Sequence, residues 1–159
     1  MRSFNKVVGS TVVLDTGLLI EFLTGTEIGA TIEKVVFKNK FITSILLTPL
    51  TLIEIYYIIR RKSTSERARN EIKKVRKLAR IVPIDEFVEI IGELKATTSI
   101  ALSDVANIGL ADYKDVKVLF KHETEIDEKL AQHASETFTE RIVFIEDFPF
   151  YKEQSSNTD

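Results

Sequence analysis

The chain contains no cysteine and no tryptophan, and only one methionine, two histidines, three prolines and six glycines among 159 residues. Without cysteine there is no disulfide framework and no thiolate metal site. With two histidines, any bound metal has to be held largely by carboxylate or carbonyl oxygen. No apolar run approaches the roughly 18–20 residues that cross a bilayer. The opening stretch MRSFNKVVGSTVVLD has too short an apolar core, and no cleavage site, for a signal peptide. The expected location is therefore the cytoplasm, with no membrane association. Low-complexity tracts, internal repeats and linker-like segments are also missing.

What is present is an ordinary globular composition, 44% hydrophobic and 29% charged. The length suits one domain. The expected organisation is a single domain over 1–150 with a short N-terminal extension, followed by a polar tail, 151–159, expected to be disordered. Charge is unevenly spread. Residues 60–80 carry ten Lys or Arg against two Glu, which leaves that stretch at +8 and the rest of a chain of net charge −2 at −10. A basic segment on an acidic body suggests two separate tasks.

Thr11–Leu14 is a short β-branched run ending in Asp15 and reads as a buried strand. Gly17–Leu23 and Thr26–Phe37 read as helices broken at Gly25. Phe41–Ser44 reads as a second strand. Thr48-Pro49 suits a helix start, and that helix is expected to run to about Lys62. Ser63 to Glu66 matches a capping box and opens the basic helix, to about Arg80. Ile81–Ile84 reads as an edge strand because of Pro83. A helix from Asp85 to about Ala96, another from Ser103 or Asp104 to about Ala111, a strand Lys117–Phe120, a helix Thr124–Ala134 and a last strand Arg141–Phe144 complete the pattern. The alternation predicts an α/β fold: a parallel sheet of about five strands flanked by helices.

Ligands of open parallel sheets bind beyond the carboxyl ends of the strands. Asp15 follows the first strand, so it is either a helix cap or a member of a site in that crevice. Glu54 falls on an apolar stripe with Leu47, Leu50 and Ile58. A carboxylate there is costly unless a cation or a donor satisfies it, either a metal or an arginine such as Arg61. Asp104 opens a helix, as a plain cap or as a carboxylate oriented by the helix dipole. Glu123 follows the strand at 117–120, in competition with Glu125 and Asp127. Taken together, these acids are an all-oxygen donor set suited to Mg²⁺ or Mn²⁺.

The segments VVLDTGLLIEFL, TPLTLIEIYYII, SDVANIGLAD and VLFKHETEI, followed by RIVFIEDF, resemble in order and spacing the PIN domain family, especially its VapC-type toxins, from about Thr11 to Phe148. The resemblance implies a PIN-like, Rossmann-like fold and metal-dependent hydrolysis of RNA. It implies Asp15, Glu54 and Asp104 as the Mg²⁺ or Mn²⁺ ligands, with Thr16 and Thr51 beside the first two. Glu123 stands where the family usually carries an Asp in a Thr-x-Asp stretch, here replaced by Lys121-His122-Glu123, and Gly17 stands where a small polar residue is common. An antitoxin partner and a homodimer are further implications, with Leu19, Phe22 and Tyr57 as dimer candidates or, equally, core residues.

Arg60, Arg61, Arg67, Lys73, Lys74 and Lys77 are candidates for gripping an RNA backbone; the plainer reading is a solvated helix face. His122 and His133 read as ordinary surface histidines, and Asp112 and Asp115 as solvated turn residues. Two rival functions remain open: a PIN-like module that binds RNA or protein without cutting, and a metal phosphatase on a similar sheet. Against the phosphatase, no Asp-x-Asp pair follows the first strand and there is no Gly-rich phosphate loop.

Overall fold

The computed structural model describes residues 2–123, 126–128 and 140–148. Among them, β1 (Thr11–Leu14), β2 (Ser44–Leu47), β3 (Arg80–Ile81), β4 (Lys117–Phe120) and β5 (Ile142–Phe144) form one parallel sheet in the order β3-β2-β1-β4-β5. Helices surround it: α1 (Arg2–Val8), α2 (Thr16–Thr24), α3 (Glu27–Ile32, continuing as a π-helix over Glu33–Phe37), α4 (Pro49–Lys62), α5 (Ser65–Leu78), α6 (Val88–Thr97) and α7 (Leu102–Tyr113).

A strand buried on both faces needs apolar residues at every position, which is why TVVL, SILL and KVLF carry so few polar residues. Successive side chains go to opposite faces. Val12 and Leu14 pack with Ile45, Leu47 and Leu119 under α1 to α5. Val13 packs with Leu46, Val118 and Phe120 against α6 and α7. The chain reverses direction between β2–β1 and β1–β4, so the carboxyl ends of β1 and β4 flank the crevice where parallel sheets bind ligands.

Several boundaries differ from those expected from sequence. The second strand lies at Ser44–Leu47 rather than Phe41–Ser44. Leu47 therefore belongs to the sheet, and the buried stripe of α4 is Thr51, Leu52, Ile55 and Ile59, with Glu54 half-buried at its edge. The third strand is only Arg80–Ile81, at the expected sheet edge; Pro83 follows, and a 3-10 turn at Ile84–Glu86 precedes α6, which begins at Val88. The cap of α5 is Thr64, whose hydroxyl accepts from the Arg67 amide at 3.1 Å, one residue after the Ser63 of the expected box. The N-terminal extension is itself helical, and Phe4 is fully buried, edge-on to Phe148 at 4.8 Å. Of the helix expected over 124–134, only 126–128 is described, and it is helical; the rest of it and the tail from 151 lie outside the described residues.

Thr48 and Pro49 start α4 as expected. The Thr48 hydroxyl accepts from the Thr51 amide at 3.3 Å and also meets the Thr51 hydroxyl at 3.3 Å, fully buried. Thr48→Ala is expected to cost about 1–2 kcal/mol by loss of this cap. Urea denaturation checks this; a midpoint equal to wild type would contradict the capping role.

Candidate metal and catalytic site

Asp15 leaves the carboxyl end of β1 and is buried, 5% exposed. The helix-cap reading holds for it. Its Oδ2 accepts from the Gly17 amide at 2.8 Å, capping α2. It also faces other acids. Burial, then the charges of Asp104 and Glu123, push its pKa from 3.8 to about 8 against the opposing hydrogen bonds from the Gly17 and Thr16 amides. Glu123 reaches the same spot from the end of β4. A Cβ built on Gly17 would lie 2.9 Å from Asp15 Oδ2 and 3.2 Å from Glu123 Oε1. Glycine at 17 thus leaves a small cradle between two carboxylates that a larger residue would fill.

Asp104 is not a cap. Helix α7 begins at Leu102 after Ala101, which makes no side-chain cap bond, so Asp104 lies inside the first turn, on the electropositive end. Ser103 does not cap either: its hydroxyl donates to Glu54 Oε1 at 2.7 Å, while the Thr16 hydroxyl donates to Glu54 Oε2 at 2.6 Å. Glu54 is therefore satisfied by hydroxyls from the residues next to Asp104 and Asp15, and not by Arg61. These two bonds tie α4 to the starts of α7 and α2, so the neighbours of all three acids meet.

Behind the acids, the Thr51 hydroxyl donates to Asn107 Oδ1 at 3.1 Å, and Asn107 Nδ2 approaches Asp15 Oδ1 at 3.4 Å. Thr51 and Asn107 are fully buried. Sequence reasoning assigns neither Ser103 nor Asn107 to the site. An Asn on an otherwise apolar helix face, three residues after Asp104, is the signal that points to the latter.

The donor set is all oxygen, of one charge sign, and desolvated at Asp15, which fits a hard divalent cation and nothing softer. Among the described residues no three acidic or imidazole groups are already closed on a common point.

The loop carrying Glu123 is fixed on both sides. Lys121 pairs with Glu21 of α2 at 2.8 Å; hydrogen bonds to Lys121 and then Thr26 hold the Glu21 pKa down, and the Glu21 bond raises that of Lys121. His122 places Nδ1 2.9 Å from Asp127 and Nε2 3.0 Å from Asp147, with its ring stacked on Phe144 at 4.0 Å. Burial works to lower its pKa, but the bonds to Asp147 and Asp127 win and raise it. It is not an ordinary surface histidine. His133 and Glu125 lie outside the described residues.

Arg60, Arg61, Arg67, Lys73, Lys74 and Lys77 are all exposed, while Ala68 and Val75 hold α5 to the core. Lys74 pairs with Glu71 at 2.9 Å and Arg60 donates to the Ser63 carbonyl at 3.2 Å. Asp112 and Asp115 are bound by Arg141 at 3.3 and 2.6 Å rather than simply solvated.

The family model of the PIN domain matches residues 12–132. The chain belongs to the PIN domain family. A search of curated protein sequences finds no match. Among solved structures, the DNA-bound VapBC of Salmonella typhimurium superposes with a TM-score of 0.60 at 15% identity, over 84% of this chain and 97% of that one. VapC20 of Mycobacterium tuberculosis, a sarcin-ricin loop cleaving toxin, gives 0.59 at 13% identity over 74% and 93%. VapBC2 of Rickettsia felis, bound to a promoter DNA fragment, gives 0.59 at 13% over 75% and 92%. At such identities the likeness is one of fold. The family match covers every candidate acid of this PIN domain, and among its described residues no helix is long and apolar enough to cross a membrane.

Proposed function

We propose that this PIN domain is a Mg²⁺- or Mn²⁺-dependent endoribonuclease and the toxin of a toxin–antitoxin pair. The observation that carries the reading is the approach of Asp15 and Glu123 at the Gly17 cradle, with the charge of Asp104 acting on Asp15 and with Glu54 joined to the neighbours of Asp15 and Asp104 through Thr16 and Ser103. Family membership and the toxin structures it resembles support the same assignment.

Asp15, Glu54 and Asp104 would hold one divalent ion, and Glu123 would help a second bind. The ion, when bound, supplies a Lewis acid that activates water and neutralises phosphate charge. The chain's own residues prepare the place. Asn107 and the Gly17 amide orient the two oxygens of Asp15. Thr16 and Ser103 hold Glu54 ready until a cation competes for it. Burial strengthens every charge interaction at Asp15. Purified protein should cut RNA with Mn²⁺, stop with EDTA and resume when Mn²⁺ is restored; equal cleavage in EDTA would contradict the assignment.

An acidic pocket repels RNA, so a basic grip is needed nearby, and the exposed cations of α4 and α5 would supply it. Reversing Arg67, Lys73 and Lys77 to Glu should flatten the dependence of log Kd on log salt by about 0.7 for each phosphate no longer neutralised. A salt slope unchanged from wild type would exclude α5 as the grip.

The partners under this reading are RNA, a cognate antitoxin and a second copy of the chain. Of the dimer candidates, Leu19 is 1% exposed and Phe22 stacks on Phe37 at 4.3 Å, so both serve the core. Tyr57 at 46% and neighbouring Ile53 at 61% exposure remain for an interface. A PIN module that binds without cutting is the second reading, favoured by the complete satisfaction of both Glu54 oxygens by hydroxyls. Mn²⁺ calorimetry beside the cleavage assay separates the two.

A further inference from the structure

We propose that His122 is a positioning residue that holds Glu123 over the acid site, a role that rests on the metal-dependent reading above. Lys121 to Glu123 is a three-residue link that leaves β4 toward the helical residues 126–128. The Glu123 side chain lies beside Asp15, a carboxyl group of the same charge sign when ionised. A carboxylate on an exposed link would swing to solvent unless its backbone were fixed.

His122 fixes it from three directions. Its ring nitrogens reach Asp127 at 2.9 Å and Asp147 at 3.0 Å. Its ring lies on Phe144 at 4.0 Å and 11°. Its amide donates to Glu146 Oε1 at 3.1 Å, and the other Glu146 oxygen is buried with no hydrogen-bond partner among the described residues. Asp127 acts twice, since its amide also donates to the Glu123 carbonyl at 2.9 Å. With both nitrogens facing carboxylates and one face covered, His122 has no nitrogen left for proton transfer or for a metal. It acts through Glu123. The link is thereby held from β5 and the 3-10 turn Ile145–Asp147.

The test is a double-mutant cycle read by Mn²⁺ calorimetry and EPR on folded protein, with a metal-free crystal structure of His122→Phe, which keeps a flat ring on Phe144 and loses both ring bonds. His122→Phe and Glu123→Gln should each weaken Mn²⁺ binding by about tenfold or more, and the double variant should be no weaker than either single one. The crystal structure should show the Glu123 carboxylate gone from Gly17. Should His122→Phe not fold, Asp147→Ala removes one arm and is read the same way. A full additional loss in the Glu123→Gln background, or a Glu123 carboxylate still over Gly17, would overturn the positioning role. Asp15→Asn is the separate control: retained Mn²⁺ binding there overturns the metal reading, while the crystallographic position of Glu123 still decides the role of His122.

Discussion

Under the proposed function, Asp15→Asn should lower metal-dependent RNA cleavage on the order of 10³-fold, because it would remove the most buried ligand of the cation, and yet it should make the metal-free protein more stable. The stability claim follows from linkage. In the unfolded chain Asp15 titrates at its ordinary 3.8; folded, it titrates at about 8. Between those values the folded protein keeps a proton that the unfolded chain has released. Stability from this group is therefore fully present below pH 3.8 and declines as the pH rises to about 8. Above that, wild type holds an ionised, desolvated carboxylate beside two others, at a cost on the order of a few kcal/mol. Asparagine has the same shape and no charge. Metal-free melting curves should coincide at low pH and separate in favour of the variant by about pH 9. Added Mn²⁺ should raise wild type alone, since only its folded site binds the ion. Because metal and proton compete for the same oxygen, Mn²⁺ affinity should fall about tenfold for each pH unit below 8. Wild-type cleavage by the variant, or a variant less stable than wild type in alkaline buffer, would contradict the assignment.

Gly29→Ala should destabilise the protein by about 2–4 kcal/mol. Helices α2 and α3 meet where Gly29 passes the end of α2. A Cβ at 29 would collide with the Glu21 carbonyl and lie 3.0 Å from the Phe22 Cα. Both obstacles are backbone, so no side chain can rotate away. The contact also reaches the segment that carries Glu123 of the proposed site. Thr26 caps α3 through the Gly29 amide at 3.0 Å and donates to Glu21 Oε2 at 2.5 Å, and the other Glu21 oxygen holds Lys121. Prying the helices apart should loosen the link that carries Glu123, so cleavage should fall along with the urea midpoint. An unfolding free energy within about 0.5 kcal/mol of wild type would show that the two helices can separate freely.

Much of the fold is legible in the sequence because its signals are local. The β-branched run before Asp15 and the Thr48-Pro49 start mark β1 and α4, and the alternation of elements implies a parallel sheet. The second strand lies three residues later than its local pattern suggests, because FITSILL is apolar at most positions and Leu47 also continues a helical stripe into α4. Only pairing with β1 decides between the two, and pairing is not a local property. Helix α1 escapes a local reading because Phe4 is buried against Phe148, at the far end of the chain.

The candidate acids can be named for the same reason, as each stands at a strand end, on a helical stripe or at a helix start. Of their supports, Thr16 and Thr51 are named only through the family resemblance, and the others are not named as supports at all. Ser103 reads as a cap from sequence and instead serves Glu54. Asn107 depends on Thr51, 56 residues away. His122 depends on Asp147, 25 residues away. Polar partners at such separations leave no periodic trace.

Under the proposed function, the carboxylates of Asp15, Glu54 and Asp104, from three separate segments, share one cation. A crystal soaked in Mn²⁺ and measured at the manganese absorption edge tests it most directly. An anomalous peak is expected within about 2.0–2.3 Å of Asp15 and Asp104, with Glu54 turned toward it. An empty map there, or manganese bound only elsewhere, would contradict it.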